Sequence, residues 1–292
     1  MGIFTKQINK DFYIQNNRIH LTPEYISRNQ KYFKKITGSR FFSILGESKF
    51  SSPVKTWAQM VNIYKEEIDP TIANAGCTIE PMVRSYVEKH FDIKFKFWNP
   101  SEINFDCFHE NEIFGGIPDG EPIDSNGNLA YDKGEPMLEI KTSSADKLKF
   151  TTINNNLVMQ KDANGRPIVT IPGQKRKEWF DENGDATIPK EYVYQLALYL
   201  YLRNAKKGLF AVCFLKPEDY MHPEQLDINK ADLIFVEMDL ENHKWIYQEV
   251  EKAKQWYLDH MTKNYVSPEL NYNDIKWLEE HYNAPYNTLT KK

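Results

Sequence analysis

Apolar positions recur along this chain first with a helical period, then with a strand period, and then with a helical period again. In ITGSRFFSILG, Thr37 or Ser39 can cap a helix whose buried side is Phe41, Phe42, Ile44 and Leu45. A second helix is expected over 53–64, with Pro53 in its first turn. Over 71–91, Gly76, Glu80, Val83 and Val87 fall on one helical face, and Pro81 either kinks the helix or starts its second half. Strands are expected at 93–98, 103–109, 112–117 and 137–142, with a turn at Asn126-Gly127 before the last. Residues 190–203, KEYVYQLALYLYLR, are apolar nearly all round and read as a buried helix. Strands at 208–215 and 232–238 and helices at 242–265 and 273–282 complete the chain.

That order predicts an α/β fold in which a mixed central sheet is flanked by helices. The polar, aromatic residues 1–36 read as a loose arm ending in a short helix near 24–35. The polar, turn-rich stretch 143–190 reads as an insertion with a hairpin, NNLVMQ-KDANGR-PIVTIP, across Asn164-Gly165. The expected organisation is an arm at 1–36, a domain at 37–268 interrupted at about 143–190, and a helical tail at 269–292.

Composition narrows the function classes. At 292 residues with 41% hydrophobic and 14% aromatic content, the chain can bury a sizeable core. Its net charge of −4 supplies no global field for nucleic acid, so such binding would need a local patch. Three cysteines without CxxC spacing argue against a disulfide framework and a structural zinc site. The sequence carries no apolar run of membrane-spanning length, no apolar signal core and no Ser or Thr at position 6 for myristoylation. A cytoplasmic protein without a membrane partner is expected.

The chemistry-bearing stretch runs from Phe114 to Thr142. Asp119 sits in a Pro-Asp-Gly turn, and Glu139-Ile140-Lys141 interrupts an apolar run. Side chains alternate along a strand, so Glu139 and Lys141 share a face about 6–7 Å apart while Leu138 and Ile140 point into a core. Two carboxylates from neighbouring strands, with the Ile140 carbonyl, suit a hard cation such as Mg2+. Lys141 could orient or deprotonate a water, or neutralise a developing charge. A surface salt bridge on a sheet edge fits the same three residues. Glu80, on an apolar stripe beside Gly76, needs a cation or hydrogen bonds, unless Pro81 leaves it at a solvated helix start. Gln195 and Tyr199 share a face of the most apolar helix, extended one turn back by Tyr192, and a buried glutamine needs partners. Lys175 and Arg176 lie beside Trp179 and Phe180 in the insertion, where a DNA contact and a solvated surface segment are both open.

The ordered set Gly76-x-x-x-Glu80-Pro81, Gly116-Ile-Pro-Asp119-Gly, Leu138-Glu139-Ile140-Lys141-Thr142 and Gln195-x-x-x-Tyr199 resembles the PD-(D/E)xK nuclease superfamily. Within it the closest likeness is to the YqaJ-type phage recombinase and lambda exonuclease branch, over about 36–268. The resemblance implies a restriction-endonuclease-like core and Mg2+- or Mn2+-dependent DNA hydrolysis, as an exonuclease in recombination or repair. It implies Asp119, Glu139 and Ile140 as metal ligands, Glu80 as a direct or water-mediated ligand, and Lys141 as the catalytic lysine. Gln195 would brace the site with Tyr199 behind it. Ser39, with Arg40 beside it, would meet a DNA phosphate from a helix N-terminus. A single-strand annealing or recombination partner and a homo-oligomer are compatible with the branch. Near the position of the branch's arginine before that serine stands Tyr32, flanked by Lys31, Lys34 and Lys35, where a neighbouring lysine or Arg40 could substitute for recognition of a 5′ end. Two competitors remain open: a DNA-binding or assembly protein without turnover, and a restriction-like endonuclease.

Overall fold

Every residue of the strand Lys207–Leu215 except the first is buried, as a strand covered on both faces requires. It pairs in parallel with Met137–Ser144 and antiparallel with Asp232–Asp239, which makes a mixed sheet with Lys207–Leu215 in the centre. In this computed structural model, which describes residues 2–153 and 156–291, that sheet belongs to a unit formed by residues 68–107 and 117–244. On one face, Leu138, Ile140, Leu209, Ala211, Cys213 and Leu215 meet Ala75, Ile79, Val83 and Val87 of the helix Pro70–Phe91. These four recur at i+4, so one narrow stripe of the helix is buried. Glu80 flanks that stripe and is half-buried, a correction to the expected line through Gly76 and Glu80. The helix passes through Pro81 as one 22-residue element, with Pro81 on its exposed side.

The helix Lys190–Arg203 covers the opposite face and buries Leu196 to Leu200. It seats directly on the central strand, because a Cβ at Gly208 would lie 2.6 Å from Leu196 Cδ2. A two-stranded antiparallel ladder, Lys94–Lys96 with Glu121–Ile123, belongs to the same unit.

Several expectations are corrected. No strand forms over 103–109, where Asn104 and Phe105 take left-handed backbone (φ 51° and 61°) that breaks an extended run. The expected strand at 112–117 shrinks to Phe114–Gly115, paired in parallel with Ile36–Thr37. The helix expected over 242–265 begins at Trp245 and ends in a π turn at Leu258–Thr262. The insertion is not a loose excursion. Leu148 and Met159 join the core under Pro70–Phe91, and the Met159 N–H donates to the Asp69 carboxylate at 2.8 Å. Its turn at Asn164-Gly165 is closed by Asp162, which accepts from the N–H groups of Asn164 and Arg166. Asn155, the first residue of the expected hairpin, lies outside the described residues.

The other unit comprises residues 2–67, 108–116 and 245–291. It corrects the expected loose arm. The strand Gly2–Phe4 pairs with Tyr64–Glu66, and Phe12–Gln15 pairs with Arg18–Leu21. Alternation within that hairpin buries Phe12, Ile14, Ile19 and Leu21, with Tyr25 from the next helix. The C-terminal helix Tyr272–Tyr282 is capped by Asn271 and Asp274 and packs Trp277, His281 and Tyr282 around Phe4.

Candidate active site

The site forms where the strand Met137–Ser144 leaves one edge of the sheet open. The turn carrying Asp119 lies along that edge, held by paired backbone hydrogen bonds between Gly120 and Leu138 (3.2 and 2.9 Å). Gly120 suits this close approach, since a Cβ there would stand 3.0 Å from Cβ and Cγ of Phe95. So fixed, Asp119 Oδ2 accepts the Ile140 N–H at 2.7 Å. A residue's N–H and C=O lie on the same side of an extended strand, so the Ile140 carbonyl faces this edge too.

Glu139 is wholly buried beneath the helix Lys190–Arg203. Its Oε1 accepts from Lys141 Nζ at 2.5 Å and from Gln195 Nε2 at 2.6 Å, and Gln195 Oε1 accepts from Lys141 at 3.3 Å. Lys141 Nζ also stands 4.8 Å above the Tyr192 ring. The alternation of faces holds, but this face is covered, and burial rules out the surface salt bridge. Glu139 Oε2 is buried with no hydrogen-bond partner, an arrangement that costs free energy unless something positive or protic meets it.

Electrostatics follow from that burial. Desolvation raises the pKa of Glu139, and repulsion from Asp119 adds to it against the pull of Lys141. Desolvation also raises Asp119, opposed by Lys141, the Ile140 N–H and Arg84. For Lys141, burial works against the ammonium, but Glu139 and Asp119 outweigh it and raise its pKa above the ordinary lysine value. Lys141 is therefore an ammonium ion, not a base, in this arrangement.

Glu80 approaches from the helix Pro70–Phe91, and its pKa is raised by burial and by Asp119. It is not aimed freely at the carboxylate pair, because Arg84 holds its Oε1 at 2.6 Å. Arg84 also donates to the Asp119 carbonyl at 2.9 Å and stacks over Phe97 at 4.4 Å. The sequence reading missed Arg84, although its i+4 spacing from Glu80 was a usable signal. It missed Glu121 as well. That carboxylate is wholly buried and takes two bonds from Arg203 (2.6 and 3.0 Å), one from Trp98 Nε1 (2.5 Å) and one from the Tyr131 hydroxyl (2.8 Å). Two residues after Asp119, it ties the strand leaving the turn to the helix that carries Gln195.

Five expected residues thus converge: Glu80, Asp119, Glu139, Lys141 and Gln195. Tyr199 and the residues assigned to DNA contact are engaged in other ways. Tyr199 is buried in the core, 3% exposed, because it lies among the apolar residues of its helix. Arg176 is spent on a double contact with Asp232 (2.5 and 3.1 Å), and Trp179 is buried. Lys175 is exposed and pairs with Glu178 at 2.8 Å. Ser39 and Arg40 belong to the other unit, where the Ser39 hydroxyl bonds Thr37 (3.0 Å) and Arg40 donates to the Lys35 carbonyl and to Thr37 (both 3.3 Å).

Among the described residues no group of three or more His, Cys, Asp and Glu side chains is arranged to hold a metal. The donor set that fits a cation is smaller and oxygen-only: Asp119, the unpartnered oxygen of Glu139, and the Ile140 carbonyl, which suits a hard divalent ion that keeps several waters.

A mixed α/β unit thus brings a buried Glu139 and a part-buried Asp119 together with an ammonium and a bracing glutamine at a sheet edge. The chain belongs to the family of protein MG373 from Mycoplasma genitalium, to which it is 47% identical over 282 residues, covering 95% of this chain and 98% of the relative. The Mycoplasma pneumoniae homologue is 44% identical over 278 residues, with the same coverage. No family model matches the sequence. Among solved structures it is similar to the alkaline exonuclease LHK-Exo of Laribacter hongkongensis, at TM-score 0.45 and 14% identity over 82% of this chain and 94% of that one. It is also similar to a phage-related exonuclease of Haemophilus somnus 129PT, at TM-score 0.43 and 15% identity over 79% and 96%. No helix among the described residues is long and apolar enough to cross a membrane.

Proposed function

We propose that this chain is a divalent-metal-dependent deoxyribonuclease, acting on DNA ends, with Asp119, Glu139, Lys141 and Gln195 as its working site. The observation that carries this reading is the buried, unpartnered Oε2 of Glu139 beside Asp119. Two neighbouring carboxylates, each with a pKa raised by burial, are what a divalent cation would relieve. Asp119, Glu139 and the Ile140 carbonyl would hold Mg2+ or Mn2+, which would supply Lewis acidity toward a phosphate oxygen and a more acidic water.

The chain's own residues do the rest. The Lys141 ammonium, fixed by Glu139 and Gln195, faces negative charge developing on the phosphate. Gln195 holds donor and acceptor in one orientation, so little reorganisation is needed during the reaction. Glu80, with its raised pKa, borders the site, and Arg84, which holds it, presents positive charge there. The ordered motifs favour an exonuclease over an endonuclease.

The test is incubation of linear duplex and closed-circular DNA with the protein and Mg2+, beside Lys141→Ala. Linear DNA should be degraded and circles spared, with the variant slower by roughly 100-fold or more. Degradation of neither substrate by the wild type would overturn the enzyme reading, and cutting of circles would make it an endonuclease.

A further inference from the structure

The insertion is joined to Lys141 through two stacked aromatic rings. Trp179, from the insertion, is 5% exposed and stacks on Tyr192 with ring centroids 5.6 Å apart and an interplanar angle of 17°. Tyr192, on the helix Lys190–Arg203, also lies beneath Lys141, whose Nζ is 4.8 Å from the ring centroid. A cation over a desolvated aromatic face is attracted by the ring quadrupole, and the attraction is directional. The indole stacked on Tyr192 keeps that face where the ammonium needs it. The indole is itself anchored. Trp179 packs edge-on against Phe214 of the central strand at 5.8 Å, and Arg176, three residues earlier, stacks on Phe180 and Phe214 while gripping Asp232. The tract Gln174–Phe180 has polar and aromatic side chains suited to nucleic acid, yet it spends Arg176 and Trp179 inward.

We propose that Trp179 and Tyr192 are positioning residues for Lys141, and that the insertion sets the lysine's place over the site through this stack. The proposal rests on the nuclease reading for its consequence in catalysis, but not for its geometry. Lys141 is held by Glu139 and Gln195 and by the Tyr192 ring. Losing the ring leaves the ammonium bonded to Glu139 but free to pivot about that bond. The ammonium acts on charge that develops during the reaction, so the loss should fall on turnover.

Four variants test this: Tyr192→Phe and Trp179→Phe keep an aromatic face, while Tyr192→Leu keeps bulk without one and Trp179→Ala removes the backing. Two measurements are made on the full chain. One is kcat and KM on linear DNA with Mg2+. The other, independent of activity, is the rate at which Lys141 is acetylated by acetic anhydride relative to an exposed lysine such as Lys89, read by mass spectrometry. Tyr192→Leu should lower kcat roughly tenfold with KM within about twofold, and should label Lys141 several-fold faster than wild type. Tyr192→Phe and Trp179→Phe should stay near wild type in both, and Trp179→Ala should follow Tyr192→Leu. Wild-type labelling in Tyr192→Leu, in a protein that melts like the wild type, would overturn the proposal. If the wild type fails to cleave DNA, the nuclease reading falls and the labelling alone still decides the positioning role.

Discussion

At the scale of single residues, the decisive feature is a charge kept where it is uncomfortable. Glu139 is wholly buried and half-partnered, so its ionised form is the costly one and its pKa is raised. The sign of the linkage follows. A carboxyl group whose folded pKa lies above its unfolded one contributes stability that is fully present below the unfolded pKa, near 4.3, and lost as pH rises through the folded value. The metal-free protein should therefore lose stability as pH rises from about 5 toward 8. Glu139→Gln should flatten that slope while abolishing cleavage. Thermal melts across this range check it, and a slope as steep in the variant as in the wild type would place the cost elsewhere. Arg176 teaches the opposite lesson. Its charge looked available for DNA in the sequence, but a carboxylate 56 positions away had already claimed it.

At the scale of elements, the site depends on a turn, an edge and two helices meeting at fixed offsets. Asp119 reaches Ile140 where Gly120 lets the turn lie close against Phe95 and the strand edge beside it is open. The buried Glu121 makes the arrangement rigid. Its bonds to Arg203, Trp98 and Tyr131 lock the strand after Asp119 to the helix that presents Gln195. Removing one member of a buried pair leaves the other charge uncompensated. Arg203→Ala should accordingly cost about 3–5 kcal/mol, whereas replacing an exposed pair such as Lys206–Glu241 (75% and 61% exposed) should change stability little. Denaturant unfolding of both variants measures the difference, and equal effects would refute the role given to Glu121. The periods read from the sequence located the helices Pro70–Phe91 and Lys190–Arg203 and the strands 137–144, 207–215 and 232–239 to within a few residues. They failed at 103–109, where two consecutive left-handed residues break an apolar-looking run. No hydrophobic pattern records that conformation.

At the scale of the whole molecule, the chain ends proved to be parts of one unit. Phe4 donates its N–H to His281 Nε2 at 3.2 Å across 277 positions, and its ring sits among Phe12, Tyr64, Trp277 and Tyr282. The bond requires a neutral imidazole acceptor. Burial lowers the pKa of His281 and likewise of His260, which bonds the Val266 carbonyl in the same unit. For a histidine held below its unfolded value of about 6.5, the unfolded chain takes up protons first, so the stability is present above that pH and lost as pH falls below it. This unit should become less stable between about pH 6.5 and 5, and His281→Gln, which retains an acceptor, should reduce the loss. Amide hydrogen exchange at Gly2–Phe4 measures it locally. Unchanged protection of these amides across that range would contradict the assignment.

By itself the sequence determined the alternation of helix and strand, the residue types of the site and their order along the chain. These are local properties, set by periodicity, turn chemistry and the few side chains able to hold a cation or a phosphate. Only the tertiary structure decided which charges are free. It buried Glu139 and left one oxygen unpaired, kept Lys141 protonated, gave Glu80 to Arg84 and Arg176 to Asp232, and folded Tyr199 into the core. It also joined residues 2–36 to the C-terminal helices, where the pattern read an arm and a tail. The reason is physical. Desolvation and pairing depend on what approaches from distant parts of the chain, and each side chain carries the same charge in the sequence whether or not a partner waits for it.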